Sequence, residues 1–148
     1  MSEMSPAQTL AQRVLLHEAG RRAEPAALAE AAERADARLR GRLVDLIGTT
    51  GYTTLVTHAV RLAQAEVPAL EGGAVAAGET GAEGRLRGVP AFARASGDAA
   101  AIEAGLSAIL AHIVGLLITF IGEDLALRLV HEAWPELALD QAASEGHA

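Results

Sequence analysis

The feature that most constrains the fold is a run of 19 residues without a charged side chain, AGLSAILAHIVGLLITFIG, from Ala104 to Gly122. A helix of this length is just long enough to cross the hydrocarbon core of a bilayer. A helix buried among other helices in a globular protein has a similar composition. The rest of the chain has to decide between these two interpretations.

The composition favours a helical protein with a single core. With 148 residues and no cysteine, the chain suits one domain without disulfides or thiolate metal sites. Aromatic residues make up only 3%, so the core must consist mainly of Leu, Ile, Val and Ala. The net charge of -7 argues against a nucleic-acid-binding protein, because neutralising phosphates requires clustered cations.

Turn residues and helical periodicity predict three helices in the N-terminal part of the chain. The first ends at Gly20, and the second begins at Pro25, whose missing N–H costs nothing in the first turn of a helix. The second helix is predicted to end near Gly48, and the third continues from there to Pro68.

The central part of the chain is rich in glycine and lacks helical periodicity, which predicts a long loop that could include a short hairpin. Ser96 or Asp98 can cap the next helix, which contains the uncharged run, and Gly122 separates it from a last helix. The predicted organisation is one all-α domain of about five helices. It consists of N-terminal helices (7–67), a Gly-rich loop (68–97), a second helical hairpin (98–139) and a frayed tail (140–148).

Two segments of the chain align without a gap when the sequence is shifted by 74 residues. They are ARLRGRLVDLIGTTGYTTLVTHA at 37–59 and AHIVGLLITFIGEDLALRLVHEA at 111–133, and eight of the 23 aligned pairs are identical. Each copy consists of a helix, an Ile-Gly break and a second helix, and neither can bury its apolar face alone. We therefore predict an internally duplicated helical hairpin whose copies pack about a pseudo-twofold axis.

The first copy of this repeat favours burial of the uncharged run in protein. Its first helix carries three charged residues on one stripe, which must face water: Arg38, Arg42 and Asp45. Two homologous helices should share one kind of environment, and the run lacks an aromatic belt and a basic flank. Insertion of Ala104–Gly122 into a membrane is the alternative hypothesis.

The second copy replaces those charges with small or weakly polar residues. Extended backwards along the helix, this stripe comprises Gly105, Ala108, His112, Leu116 and Thr119. Another helix could approach such a surface closely, so we predict that the stripe forms the interface of a twofold homodimer. The alternative is that the N-terminal helix or the Gly-rich loop covers the stripe within one chain. We expect the His112 imidazole to be uncharged and to donate one hydrogen bond.

The remaining histidines give weaker signals. The triplet His-Glu-Ala occurs at His17 and at His131, and we interpret each His-Glu pair as solvated at a helix end. His58, Asp124, His131 and Glu132 could converge across the pseudo-twofold axis, which is the hypothesis of a small metal-dependent helical enzyme. The sequence lacks His-Glu-x-x-His and the paired Glu-x-x-His motifs of di-iron bundles, so this hypothesis has little support.

No motif for nucleophilic catalysis or phosphate binding occurs in the sequence, and we predict no catalytic residue, cofactor or metal site. The N-terminus has no basic leader and no continuous apolar segment, which indicates a cytoplasmic protein. All twelve cationic residues are Arg, which we interpret as the base composition of a GC-rich bacterial genome. The predicted function is that of a non-enzymatic helical adaptor or regulatory subunit with an unidentified protein partner.

Overall fold

The protein is all-α, as predicted. The computed structural model describes residues 6–20, 24–67, 70, 76–77, 86–87, 89, 92–93 and 98–135. The helices in this part of the chain are α1 (Pro6–Glu18), α2 (Pro25–Glu66), α3 (Ala99–Ile121) and α4 (Glu123–Ala133). Two strands of two residues each, β1 (Ala76–Ala77) and β2 (Leu86–Arg87), pair antiparallel. Most of the predicted Gly-rich loop and the whole predicted tail lie outside the described residues.

Helix α1 ends where the sequence indicates. Gly20 has a φ of 66°, a left-handed conformation that glycine adopts without strain. One face of α1 is apolar and includes Val14 and Leu15, which are both buried. This face packs against α3 and, to a smaller extent, against α2.

Helix α2 consists of two helical segments, α2a (25–47) and α2b (49–66), on either side of Gly48. Gly48 has φ 81° and ψ 166°, far from helical values. The Tyr52 hydroxyl donates to Asp36 Oδ1 at 2.5 Å. A straight helix would separate these residues by about 24 Å along its axis, so α2b folds back towards α2a. The four long helical elements in the described part of the chain correspond to the five predicted helices, because the second and third predicted helices, α2a and α2b, are counted together as α2.

Helices α3 and α4 meet at Gly122, which has φ 92° and ψ 155°. The Asp98 side chain caps α3 by accepting a hydrogen bond from the Ala100 amide at 3.1 Å. Ser96, the other predicted cap, lies outside the described residues. Helix α3 has the same length as α2a, and both helices end at a glycine in a conformation that other residues avoid.

Helix α3 is the central element of the bundle and packs against α1, α2 and α4. Among the described residues, α3 is the one helix that is long and apolar enough to span a membrane. Its most apolar stretch of 18 residues has a mean hydropathy of 2.2, and half of that stretch is buried in the protein. A core helix within a globular bundle meets the same criteria, so this finding is weak evidence for a membrane.

Candidate functional site

The stripe predicted as an interface runs along α3, and its first part is covered within the chain. A Cβ atom added to Gly105 would lie 3.1 Å from Leu70 Cδ2 and 3.1 Å from Phe92 Cζ. Both covering residues are themselves buried and belong to the segment between α2 and α3. At Gly105 the structure therefore has the arrangement of the alternative hypothesis, in which the connecting segment covers the stripe.

The middle part of the stripe opens onto a groove of about 600 Å³ between α1 and α3. Its polar lining comes from Gln8 and Gln12 of α1, Glu66 at the end of α2, and Ser107 and His112 of α3. The predicted interface residue Ala108 also lines this space, which we call the α1–α3 groove. The stripe in this region therefore faces a cleft and not a flat surface.

Two polar groups in the α1–α3 groove have different environments. His112 Nε2 lies 3.1 Å from Glu66 Oε1, so the imidazole has a carboxylate partner at the end of α2b. Ser107 is only 8% exposed, and its hydroxyl has no hydrogen-bond partner among the described residues. A buried hydroxyl without a partner costs about 1–3 kcal/mol relative to a satisfied one.

The last part of the stripe reaches the protein surface. Leu116 is half-buried and Thr119 is exposed, with its hydroxyl donating to the Gly115 carbonyl at 3.1 Å. Phe120 follows one turn after Leu116 and is 69% exposed, the highest value for a large apolar residue in the described part of the chain. The sequence reasoning missed Phe120, although its i+4 spacing from Leu116 could have identified it.

The exposed phenylalanine has a counterpart in the first half of the molecule. Leu46, which aligns with Phe120 in the repeat, is 50% exposed. Both residues lie two positions before the glycine that ends their helix. The two helix ends therefore each present one large apolar side chain to solvent.

The proposed polar cluster does not form a metal site. His58 and Asp124 are exposed, His131 is half-buried, and Glu132 lies 3.8 Å from Arg42 between Oε1 and Nη1. Among the described residues there is no group of three or more His, Asp or Glu side chains that could hold a metal ion. The structure therefore gives the metal-enzyme hypothesis no support.

The interpretation of His17-Glu18 as a solvated pair is wrong for Glu18. Its side chain is only 6% exposed and accepts hydrogen bonds from Arg34 Nε at 3.1 Å and from Trp134 Nε1 at 2.6 Å. Arg38 Nε also lies 3.0 Å from this carboxylate, and its guanidinium carbon is 5.8 Å from the centre of the Trp134 ring. These contacts join the ends of α1 and α4 to α2a, so Glu18 is a structural residue with satisfied oxygens.

A second buried polar contact lies inside α2. Tyr52 and Asp36 are both buried, and the phenol also donates to the Asp36 carbonyl at 3.2 Å. Burial of the phenol raises the pKa of Tyr52 well above its ordinary value, and the nearby Asp36 charge and hydrogen bond raise it further. The opposing charge of Arg40 lowers this pKa but does not reverse the shift.

Comparison of the chain with protein-family models, with curated proteins and with solved structures finds no match.

Proposed function

We propose that the protein is a non-enzymatic helical adaptor or regulatory subunit, which forms a homodimer through the C-terminal part of α3. The observation that carries this proposal is the 69% exposure of Phe120, next to Leu116 and Thr119 on the same helix. Large apolar side chains left in water often mark surfaces for protein contacts. Gly105 is excluded from this interface because Leu70 and Phe92 cover it.

The similarity of the two halves supports our proposal that this architecture arose from a duplicated hairpin. Glycines with positive φ end both α2a and α3, and α2 and α3 begin 74 residues apart, as the repeat requires. Equivalent positions are buried in both copies, among them the pairs Leu39/Ile113, Leu43/Leu117, Tyr52/Ala126, Val56/Val130 and Ala59/Ala133. We propose that these two copies descend from one helical hairpin that bound to a second copy of itself.

The cross-contacts between the copies also support a pseudo-twofold axis. Arg38 of α2a donates from Nη1 to the Ala133 carbonyl at the end of α4, at 2.7 Å. The equivalent residue of α3 is His112, which contacts Glu66 at the end of α2b. In both cases the long helix of one copy contacts the short helix of the other copy, but at different heights, because Ala133 aligns with Ala59 and Glu66 lies seven residues beyond Ala59.

The energetics of the proposed dimer depend on Phe120. Burying a phenylalanine side chain contributes about 1.5–3 kcal/mol relative to leaving it in water. In a twofold interface each such residue is buried once in each protomer, so the contribution occurs twice. Loss of Phe120 should therefore weaken the dimer strongly without changing the core of the protomer.

The experiment is to measure the mass of the purified protein by light scattering at micromolar concentration. We expect the wild type to be a dimer and Phe120→Asp to be a monomer, because the substitution places two carboxylates in an apolar contact. The matched control is Leu62→Asp, which changes an exposed leucine of α2b. A monomeric wild type, or a Phe120→Asp variant that remains dimeric, would contradict the proposal.

The length and composition of α3 favour a second candidate, a membrane-associated helical protein that inserts Ala104–Gly122. The two candidates differ in their behaviour without detergent. On the adaptor proposal, the protein stays in the supernatant after ultracentrifugation and does not float with phosphatidylcholine vesicles. Flotation with the vesicles would support the membrane candidate. Affinity capture from the native host would then identify the partner of the adaptor and its cellular location.

A further inference from the structure

We propose that α1 is an autoinhibitory cover of α3, held in place by Glu18, and that release of α1 lets α3 bind a phospholipid bilayer. The inference goes beyond the proposed function, because it makes membrane attachment of the adaptor conditional on one contact. It does not depend on the dimer, since Glu18 joins α1 to α2a and to the end of α4, whereas Phe120 lies on α3. Three features carry it: the composition of α3, the packing of α1 and the contacts of Glu18.

Helix α3 has the length and composition of a helix that binds lipid. It has 23 residues, and the other helices bury only half of its most apolar stretch. About 20 predominantly apolar residues are enough to span the hydrocarbon core of a bilayer. A large apolar surface that loses its cover in water favours contact with lipid or with other chains. The elements that cover α3 therefore decide whether this helix meets a bilayer.

Helix α1 can leave the bundle while the other helices stay together. It packs mainly on α3, whereas α2, α3 and α4 all contact one another without it. In the N-terminal half of α1, Gln8 and Gln12 line the α1–α3 groove, so the contact with α3 is open at this end. Helix α1 is amphipathic, with Val14 and Leu15 on its buried face. After release this face can lie in the headgroup region of a bilayer, so it does not have to remain in water.

The C-terminal end of α1 is held by a buried carboxylate. Glu18 is within hydrogen-bonding distance of Arg34 Nε at 3.1 Å, Arg38 Nε at 3.0 Å and Trp134 Nε1 at 2.6 Å. Such contacts to a charged carboxylate are about twice as strong as those between neutral groups. All three partners belong to α2a or follow α4, so this attachment is separate from the apolar contact between α1 and α3.

The partners of Glu18 can be solvated when α1 leaves. The side chains of Arg34 and Arg38 are 50% and 39% exposed, so water reaches both guanidinium groups. Arg38 also donates to the Ala133 carbonyl, which keeps α2a joined to the end of α4. Loss of the Glu18 contacts therefore frees α1 without leaving a buried charge in the remaining helices, as a switch between two packed states requires.

The test compares the wild type with Glu18→Ala by flotation with phosphatidylcholine vesicles in the absence of detergent. We expect the wild type to stay in the soluble fraction and Glu18→Ala to float. In solution, hydrogen exchange of the α1 amides should become about a hundredfold faster in Glu18→Ala, because removal of one partner from a buried ion pair shifts an opening equilibrium by at least that factor. The amides of α2 and α3 should keep their protection.

Tryptophan fluorescence reports the release of α1 independently. Trp134 is the single tryptophan of the chain, is buried and contacts Glu18. Its emission should shift to longer wavelength in Glu18→Ala, because the indole becomes accessible to water when α1 leaves.

Arg34→Ala tests the same attachment from α2a and leaves the sequence of α1 unchanged. Its α1 amides should exchange about tenfold faster than those of the wild type, since only the hydrogen bonds from one charged donor are lost. A smaller fraction than for Glu18→Ala should float. The matched control is Glu30→Ala, which also removes one carboxylate, but from an exposed residue that lies 3.9 Å from Arg34. It should stay soluble like the wild type.

Several results would overturn the inference. Flotation of the wild type, or equal flotation of Glu30→Ala and Glu18→Ala, would show that Glu18 does not keep the protein off the bilayer. Unchanged exchange of α1 in Glu18→Ala would show that Glu18 does not hold this helix. Loss of protection throughout Glu18→Ala would show that Glu18 stabilises the whole fold and not a removable cover. A released α1 without flotation would exclude the bilayer as the partner of α3.

The outcome can be separated from that of the proposed function. A monomeric wild type whose Glu18→Ala variant floats would contradict the homodimer and support the cover. A dimeric wild type whose Glu18→Ala variant stays soluble would support the homodimer and contradict the cover.

Discussion

Helices α2a and α3 have the same length and the same kind of glycine at their ends, but their surroundings differ. Arg38 and Arg42 of α2a reach across to the last carbonyls of α4, at 2.7 Å and 3.2 Å, and remain partly in water. The corresponding residues of α3 are His112 and Leu116, and α1 packs against this helix. The two helices therefore share a glycine break in the backbone, but α2a carries charged side chains that reach α4, whereas α3 carries small and apolar side chains on its more extensive contact with α1.

Substitution of Trp134, which follows α4, and of Val60, which lies within α2b, should give the largest difference between the halves. Trp134 and Val60 occupy equivalent positions, and both are buried. Trp134→Ala should lower the free energy of unfolding by about 3–5 kcal/mol, and Val60→Ala by about 1–3 kcal/mol. Urea unfolding followed by circular dichroism measures both. Equal losses would show that Trp134 contributes no more to packing than its counterpart.

The glycines should behave alike, which tests the similarity between the halves. Gly48→Ala and Gly122→Ala should each destabilise the protein by about 1–3 kcal/mol, because alanine is strained at these φ and ψ angles. No atom lies within 4 Å of a Cβ added at either position, so the cost is conformational and not steric.

The control for these variants is Gly41→Ala, a helical position that also has open space around it. This change should be neutral or stabilising by about 0.5–1 kcal/mol, since alanine favours a helix. Thermal unfolding measures all three variants. If only one of Gly48→Ala and Gly122→Ala lowered the unfolding temperature, the two helix breaks would not be equivalent.

The smallest expected effect concerns a contact that only the first half contains. The pKa of Tyr52 is raised in the folded state. The protonated phenol therefore contributes fully to the stability of the fold at any pH below the ordinary tyrosine pKa of about 10. Stability should fall as the pH rises above that value, because the unfolded chain then releases a proton that the folded chain retains. Tyr52→Phe should remove this slope.

Tyr52 is the single tyrosine of the chain, so absorbance at alkaline pH follows its ionisation directly. We expect no phenolate signal in the folded protein near pH 10. In the second half the equivalent residue is Ala126, which leaves no titrating group at that position. Ionisation of Tyr52 at its ordinary pKa in the folded protein would contradict the buried contact with Asp36.

Local signals in the sequence predicted the all-α class and most helix ends. Pro25, Asp98 and Gly122 act through their own backbone or through the nearest turn, so their effects can be derived without knowing the fold. The predicted end of the second helix near Gly48 agrees with the structure, because the backbone leaves helical values at this residue and α2b folds back towards α2a.

The contacts that the sequence did not predict join residues far apart in the chain. Glu18 and Trp134 are separated by 116 positions, and only the packing of α1 against the bundle brings them together. The cover over Gly105 comes from Leu70 and Phe92, in a segment without periodicity. The uncharged run indicated that the candidate site lies on α3. The α1–α3 groove could not be predicted from that run alone, because it also depends on where α1 packs.

The order of helices along the chain has a consequence for biosynthesis. The ribosome completes α1 and α2, which provide much of the surface that covers α3, before it makes the most apolar helix. The apolar face of α3 therefore meets a binding surface as soon as it leaves the exit tunnel. A circular permutant that begins with α3 would expose this face during translation and should aggregate more readily than the natural order.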